Sequence, residues 1–150
     1  MIDPSSRSDA IARPEYTNAF LLLRLFLGLR TLLAGVEKFE IQSVYSLGNY
    51  YENMGRMAQG ITSASFIPLW MSRSFAHSLG YALVILGLAV LLGVRTRIAL
   101  LLTGLIYTGL SFGLMAVQES EGVAWLGIHV ALVAVALVLV RHDRFALWRE

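Results

Sequence analysis

The sequence predicts an all-α integral membrane protein: an antiparallel four-helix bundle with an amphipathic helix in one long outer loop. Three observations predict it. Of 150 residues, 57% are hydrophobic and only 15% are charged, against about 25% charged in ordinary soluble domains. Four apolar runs, about 18–36, 74–92, 98–117 and 123–140, each approach the roughly 20 residues that cross a hydrocarbon core as a helix. Runs such as "ALVILGLAVLLG" and "VALVAVALVLV" carry no polar stripe, and all-round apolarity suits lipid rather than a water-facing bundle. The net charge of +2 comes without a basic run, so nucleic acid is not an expected partner. The chain has no cysteine. That removes disulfides, thiolate catalysis, iron–sulfur ligation and cysteine zinc sites from this chain, and no metal site is expected.

Residues 1–17 read as a polar tail, because arginines interrupt any would-be signal-peptide core. The first span follows at 18–36. The outer loop, 37–73, holds apolar residues at helical spacing: Val44, Leu47, Tyr51, Met54 and Ala58. That spacing predicts an amphipathic helix of about 16 residues. It either covers helix ends or serves as a lid or docking surface. "GITSASFIPLW" leads back to the membrane, with Phe66 and Trp70 suited to the interface. The turns "GVRTR" and "QESEG" are tight, so neighbouring helices are antiparallel. A basic tail, 141–150, ends the chain. Gly28 with Gly35, Gly80 with Gly87, and Gly109 with Gly113 are expected at close helix contacts.

Basic residues set the orientation. Arg7, Arg13, Arg95, Arg97, Arg141, Arg144 and Arg149 fall on the side of the termini, against Lys38, Arg56 and Arg73 on the other. Seven against three predicts both termini in the cytoplasm of a bacterial or archaeal cell, in its cytoplasmic (inner) membrane.

Two arginines lie inside the first span, where a charge costs at least about 2.5 kcal/mol. Arg24 leans toward the nearer surface and is expected to snorkel to the head groups. Arg30 leans away from its nearer surface and needs a buried partner, either Glu37 or a ligand. Tyr81, Ser111 and His129 lie at the same depth as Arg30, about 9 Å from the outer boundary at 1.5 Å per residue. Tyr107 and Thr103 continue the Ser111 stripe inward. His77 and Gln118 lie nearer the mouth, with Glu37 and Lys38 at its rim. Each span thus offers one polar group to one layer, which is either a shared pocket or a structural network. Imidazole, phenol and guanidinium among apolar walls suit a quinone head group. A haem held by His77 and His129 is the weaker alternative.

The stretch "LLRLFLGLRTLLAGVEKF", with Arg24, Gly28, Gly35 and Lys38, resembles the first span of the DoxX/DoxD-like family. "LGLAVLLGVRTRIALLL", with Gly87, Gly93 and Arg97, is similar to that family's second span, turn and third span. The resemblance runs from about Leu21 to Arg141. It implies a four-span subunit of a membrane oxidoreductase system, as in the membrane part of thiosulfate:quinone oxidoreductase, with the lipid bilayer and other redox subunits as partners. Many relatives carry an acidic residue in the second span. Here none occurs between Glu52 and Glu119.

Two functional expectations follow. In the first, a quinone-interacting subunit, Arg30, Tyr81, Ser111, His129, Tyr107 and His77 converge on a cavity. In the second, a non-catalytic scaffold or maturation factor, they satisfy one another and the Ile41–Ala58 face packs on another chain.

Overall fold

The computed structural model describes residues 14–147. The rest of the expected tails, 1–13 and 148–150, lies outside the described residues. Five α-helices follow in order: α1 Pro14–Val36, α2 Leu47–Ala64, α3 Leu69–Leu92, α4 Thr96–Ala116 and α5 Ser120–Leu139. All but α2 are long and apolar enough to cross a membrane. Their outward faces carry large apolar side chains that nothing in the chain covers, such as Leu22, Ile85 and Val138, each at least 65% exposed. Water would not tolerate such surfaces over four helices, and lipid does. The protein is a multi-pass membrane bundle.

Each spanning helix starts a few residues before its apolar run. Helices continue through the interface, where polar residues satisfy their first turns. Pro14 opens α1, a position where its missing N–H costs nothing. Glu119 caps α5, its carboxylate accepting from Gly122 N at 2.6 Å.

The tightest packing joins α1 to α3. A Cβ built on Gly28 would lie 2.6 Å from Leu91 Cγ, and one on Gly35 2.8 Å from Val84 N. From the other side, a Cβ on Gly87 would lie 2.5 Å from Leu32 N. Only glycine permits these backbone approaches. The Gly109 and Gly113 pair behaves differently from expectation. A Cβ on Gly113 would meet nothing within 4 Å, so this pair does not join two helices of the chain.

Between α1 and α2, a 3-10 turn at Glu37–Phe39 leads into a hairpin of β1 (Glu40–Ile41) and β2 (Val44–Tyr45). Glu40 faces Tyr45, and Ile41 faces Val44. Gln42 and Ser43 both adopt positive φ, 50° and 65°, the geometry that two-residue hairpin loops require. Ser46 then caps α2 by accepting from Asn49 N at 3.0 Å.

The outer-loop helix forms, but it is rotated from the expected face. Its buried residues are Tyr50, Met54 and Ala58, while Val44, Leu47 and Tyr51 are exposed. Val44 belongs to the hairpin, so the apolar spacing that included it crossed an element boundary. Tyr50 wins the inward position over Tyr51 because Gly80 leaves room for its ring. Its hydroxyl donates to His77 O and accepts from Gly80 N at 3.3 Å. Burial pushes the Tyr50 phenol above its ordinary value, which keeps it a donor. Asn53 holds the other side, donating to Lys38 O at 3.1 Å and Glu40 O at 2.9 Å.

Arg24 does not snorkel. Its guanidinium is buried and pairs with Asp143 at 2.7 Å. It also donates to Phe145 O at 3.2 Å. Asp143 accepts a further hydrogen bond from Thr96 Oγ1 at 2.9 Å. One ion pair thus ties α1, the start of α4 and the segment after α5 at the end where residues 14 and 147 lie. Residue 24 faces α3 and the C-terminal segment, and a charge enclosed there needs a countercharge rather than a route to head groups.

Arg24→Lys keeps the charge and loses the two-partner geometry. It should cost about 2 kcal/mol, the usual worth of hydrogen bonds to charged groups. Asp143→Asn should cost a similar amount, and the double variant less than the sum. Equilibrium unfolding of the purified variants in mixed micelles measures all three. Wild-type stability in Arg24→Lys would rule out the clasp.

Candidate functional site

All four spanning helices line one cavity of about 160 Å³ near the hairpin end of the bundle. Its walls are Arg30 and Ala34 from α1, Leu79 and Leu83 from α3, Tyr107 and Leu110 from α4, and Leu126 and His129 from α5. Glu37 and Lys38, from the 3-10 turn, complete it. Tyr107 and the His129 Nε2 atom are buried among leucines, in surroundings that strengthen electrostatic contacts. Arg30 and Glu37 line the same cavity but are exposed, so Arg30 is not the enclosed charge its position in the span suggests.

His129 is fixed through one nitrogen. Nδ1 lies 2.8 Å from Trp125 O. A carbonyl only accepts, so Nδ1 carries the hydrogen in the neutral ring and Nε2 keeps a lone pair. Nε2 is buried without a hydrogen-bond partner. The ring stacks with Phe26 at 6.3 Å and meets Tyr107 at 5.5 Å, tilted by 63°. The Tyr107 hydroxyl is held by Thr31 Oγ1 at 2.7 Å, which fixes the phenol against the imidazole.

Arg30 stands on the cavity wall. No ion pair joins it to a carboxylate among the described residues. Glu37, the candidate partner, lines the same cavity without reaching it. The two arginines of α1 therefore differ in kind. The chain itself neutralises Arg24, and Arg30 is presented to a space.

The expected layer assembles in part. Arg30, Tyr107 and His129 come together, with Glu37 and Lys38 beside them. Tyr81 does not join them. Leu79 and Leu83 give α3's face to the cavity, and Tyr81 stands about 200° of helix turn from each. It packs instead on Phe39 at 5.6 Å and Tyr50 at 4.8 Å. His77, two residues before Leu79, faces away for the same reason and meets the edge of Tyr51 at 5.7 Å. His77 and His129 therefore do not face one another as a haem pair would. Ser111 is buried, but its hydroxyl folds back onto Tyr107 O at 2.9 Å. Thr103 does the same to Ala99 O at 2.8 Å.

Three contributors were not singled out in the sequence. Thr31 holds Tyr107, and a threonine inside an apolar span gives no local signal beside the charge of Arg30. Tyr50 docks α2, and adjacent tyrosines made the choice ambiguous. Asp143 pairs with Arg24. A signal for it existed: it is the sole acidic residue between Glu121 and Glu150, just past the fourth span.

Four apolar helices with a cavity among them define a small four-span membrane protein. Residues 19–118 match the family model for DoxX. That match covers two thirds of the 150 residues, and the chain belongs to the DoxX family. No curated protein and no solved structure matches it significantly. The matched range includes Arg24, Arg30 and Tyr107 and ends before α5, so His129 and Asp143 fall outside it.

The neutral His129 ring should carry its hydrogen on Nδ1. In 15N-histidine-labelled protein near neutral pH, Nδ1 should give an amine-like shift and Nε2 an imine-like one. The reversed pattern would break the Trp125 hydrogen bond and the lone-pair assignment with it.

Proposed function

We propose that the chain is a membrane subunit of an oxidoreductase assembly and that its four-span cavity receives a quinone or quinol head group. The observation that carries this reading is the unpartnered His129 Nε2 at a cavity also lined by Arg30, which has no ion pair among the described residues. Buried polar atoms are ordinarily satisfied, and an orphan at a cavity is a reason to expect a ligand. The chemistry matches a quinol. The Nε2 lone pair accepts a hydrogen bond from one hydroxyl, and Arg30 donates to an oxygen and stabilises negative charge if the proton leaves. The size matches too. A cavity of roughly 150 Å³ holds a benzene ring, and this one measures about 160 Å³. The electron partner of the ligand belongs to another subunit.

Titration of the purified protein with a short-chain benzoquinone and its quinol tests the reading. His129→Ala should weaken binding about ten-fold, the equivalent of about 1.4 kcal/mol, with little change in melting temperature. Arg30→Lys should weaken it as well, because lysine lacks the planar donor pair. A second reading, the scaffold, draws on the apolar residues left uncovered at the hairpin end. Val44, Tyr45, Leu47 and Tyr51 are each more than half exposed, a surface suited to a partner chain. If wild type binds no analogue and His129→Ala melts earlier, the scaffold reading stands.

The same proposal places the protein in a bacterial or archaeal cytoplasmic membrane with both termini inside, on the seven-to-three bias of basic residues. The cavity then opens in the outer half. Reporter fusions at Glu150 and within Gly48–Gly60 should report opposite sides, with the Glu150 fusion cytoplasmic. A cytoplasmic Gly48–Gly60 fusion would move the cavity to the inner leaflet and defeat the assignment.

A further inference from the structure

We propose that a second, larger cavity holds the hydrocarbon tail of the same ligand, so that the protein selects long-chain isoprenoid quinones over short ones. This rests on the head-group reading above. The second cavity measures about 490 Å³ and runs between α2, α3 and α4. Lys38 and Leu110 line both cavities. The two spaces are therefore neighbours with a common wall, one sized for a ring and the other for a chain.

The lining identifies the occupant. Met57 and Ile61 of α2 face Phe75 of α3 and Phe112 of α4. Among the described lining residues, the only polar side chain apart from Lys38 at the common wall is Ser72, and its hydroxyl accepts from Thr62 Oγ1 at 3.2 Å. Nothing here would recognise a second head group. Methionine adapts to irregular shapes, which suits a methyl-branched chain.

Gly109 and Gly113 supply the second observation. They line this cavity, and neither is needed for close packing. A Cβ on Gly113 would meet nothing within 4 Å, and one on Gly109 would touch Phe75 at an ordinary 3.5 Å. In an α-helix each glycine costs up to about 1 kcal/mol relative to alanine. Their small size serves the open volume. Such a pair can also mark a contact between spanning helices. Here Met57 and Ile61 of α2 line the same space, and the test below separates a ligand in the groove from a second helix.

The test uses full-length protein in lipid nanodiscs, with ligand concentrations expressed as mole fractions in lipid. The probes are a benzoquinone without a tail and the same ring carrying isoprene units. Lipid is itself apolar, so the tail gains packing alone and the advantage is moderate. Wild type should bind the tailed ring about five- to ten-fold tighter. Gly113→Leu fills the groove without a backbone clash. It should erase that advantage, leave tail-less binding unchanged and keep the melting temperature. Ile61→Phe narrows the groove from α2 and should act likewise if Gly113→Leu misfolds. Equal binding of both probes to wild type would overturn the tail site and leave the head-group reading standing. Absence of binding by either probe would sink both. A smaller particle mass for Gly113→Leu, with the tail advantage intact, would assign the groove to a second copy of the chain and overturn the proposal.

Discussion

The rotation of α1 about its own axis decides what the rest of the bundle can do. Gly28 and Gly35 press one face of α1 against α3. Arg24 and Thr31 lie on that same face at helical spacing and are buried with them. This single contact puts one arginine inside the packing and leaves Arg30, one residue before Thr31, at the margin of the cavity. It also brings Thr31 to Tyr107, which fixes the phenol that flanks His129. A bulkier residue at Gly28, Gly35 or Gly87 would move α1 and all three polar groups together.

The two arginines show two solutions to one problem. A charge in an apolar setting needs a countercharge, water or a ligand. Arg24 receives Asp143 and the Phe145 carbonyl, and the result is mechanical: the segment after α5 is fastened to α1 and to the first residue of α4. Arg30 is exposed and forms no ion pair among the described residues. Among the described residues the enclosed ion pair thus stands at the end where residues 14 and 147 lie, and an open guanidinium stands at the hairpin end, where the histidine lone pair also is.

Much of this was legible in the sequence, and the limit has a physical origin. Span number, antiparallel order and the depth of the polar layer all follow from length, turns and helical rise. Rotation does not. In a soluble helix the apolar stripe reports which face is inside. In α5, apolar nearly all round, only Val133 and Ala136 are buried, and hydrophobicity alone could not pick them out. For this reason helical rise alone sets Tyr81 level with Arg30, whereas its face of α3 turns to Phe39 and Tyr50. Tyr50 and Tyr51 compete one residue apart, and only Gly80, far along the chain, breaks the tie. The pairing of Arg24 with Asp143 joins positions 119 apart, beyond any local pattern. The amphipathic α2 was legible because it does have two faces, although its hairpin start was not.

That separation has a consequence for how the molecule is made. A ribosome finishes Asp143 long after α1 has left the exit tunnel. While the next three spans are being synthesised, the first one carries a cation whose countercharge does not yet exist. The bundle can insert helix by helix, but its fastening arrives only after the fourth span. A chain interrupted just after α5 would hold all four of these spanning helices and still lack the anion that closes them, so translation of the few residues after α5 converts an inserted set of helices into a clasped one.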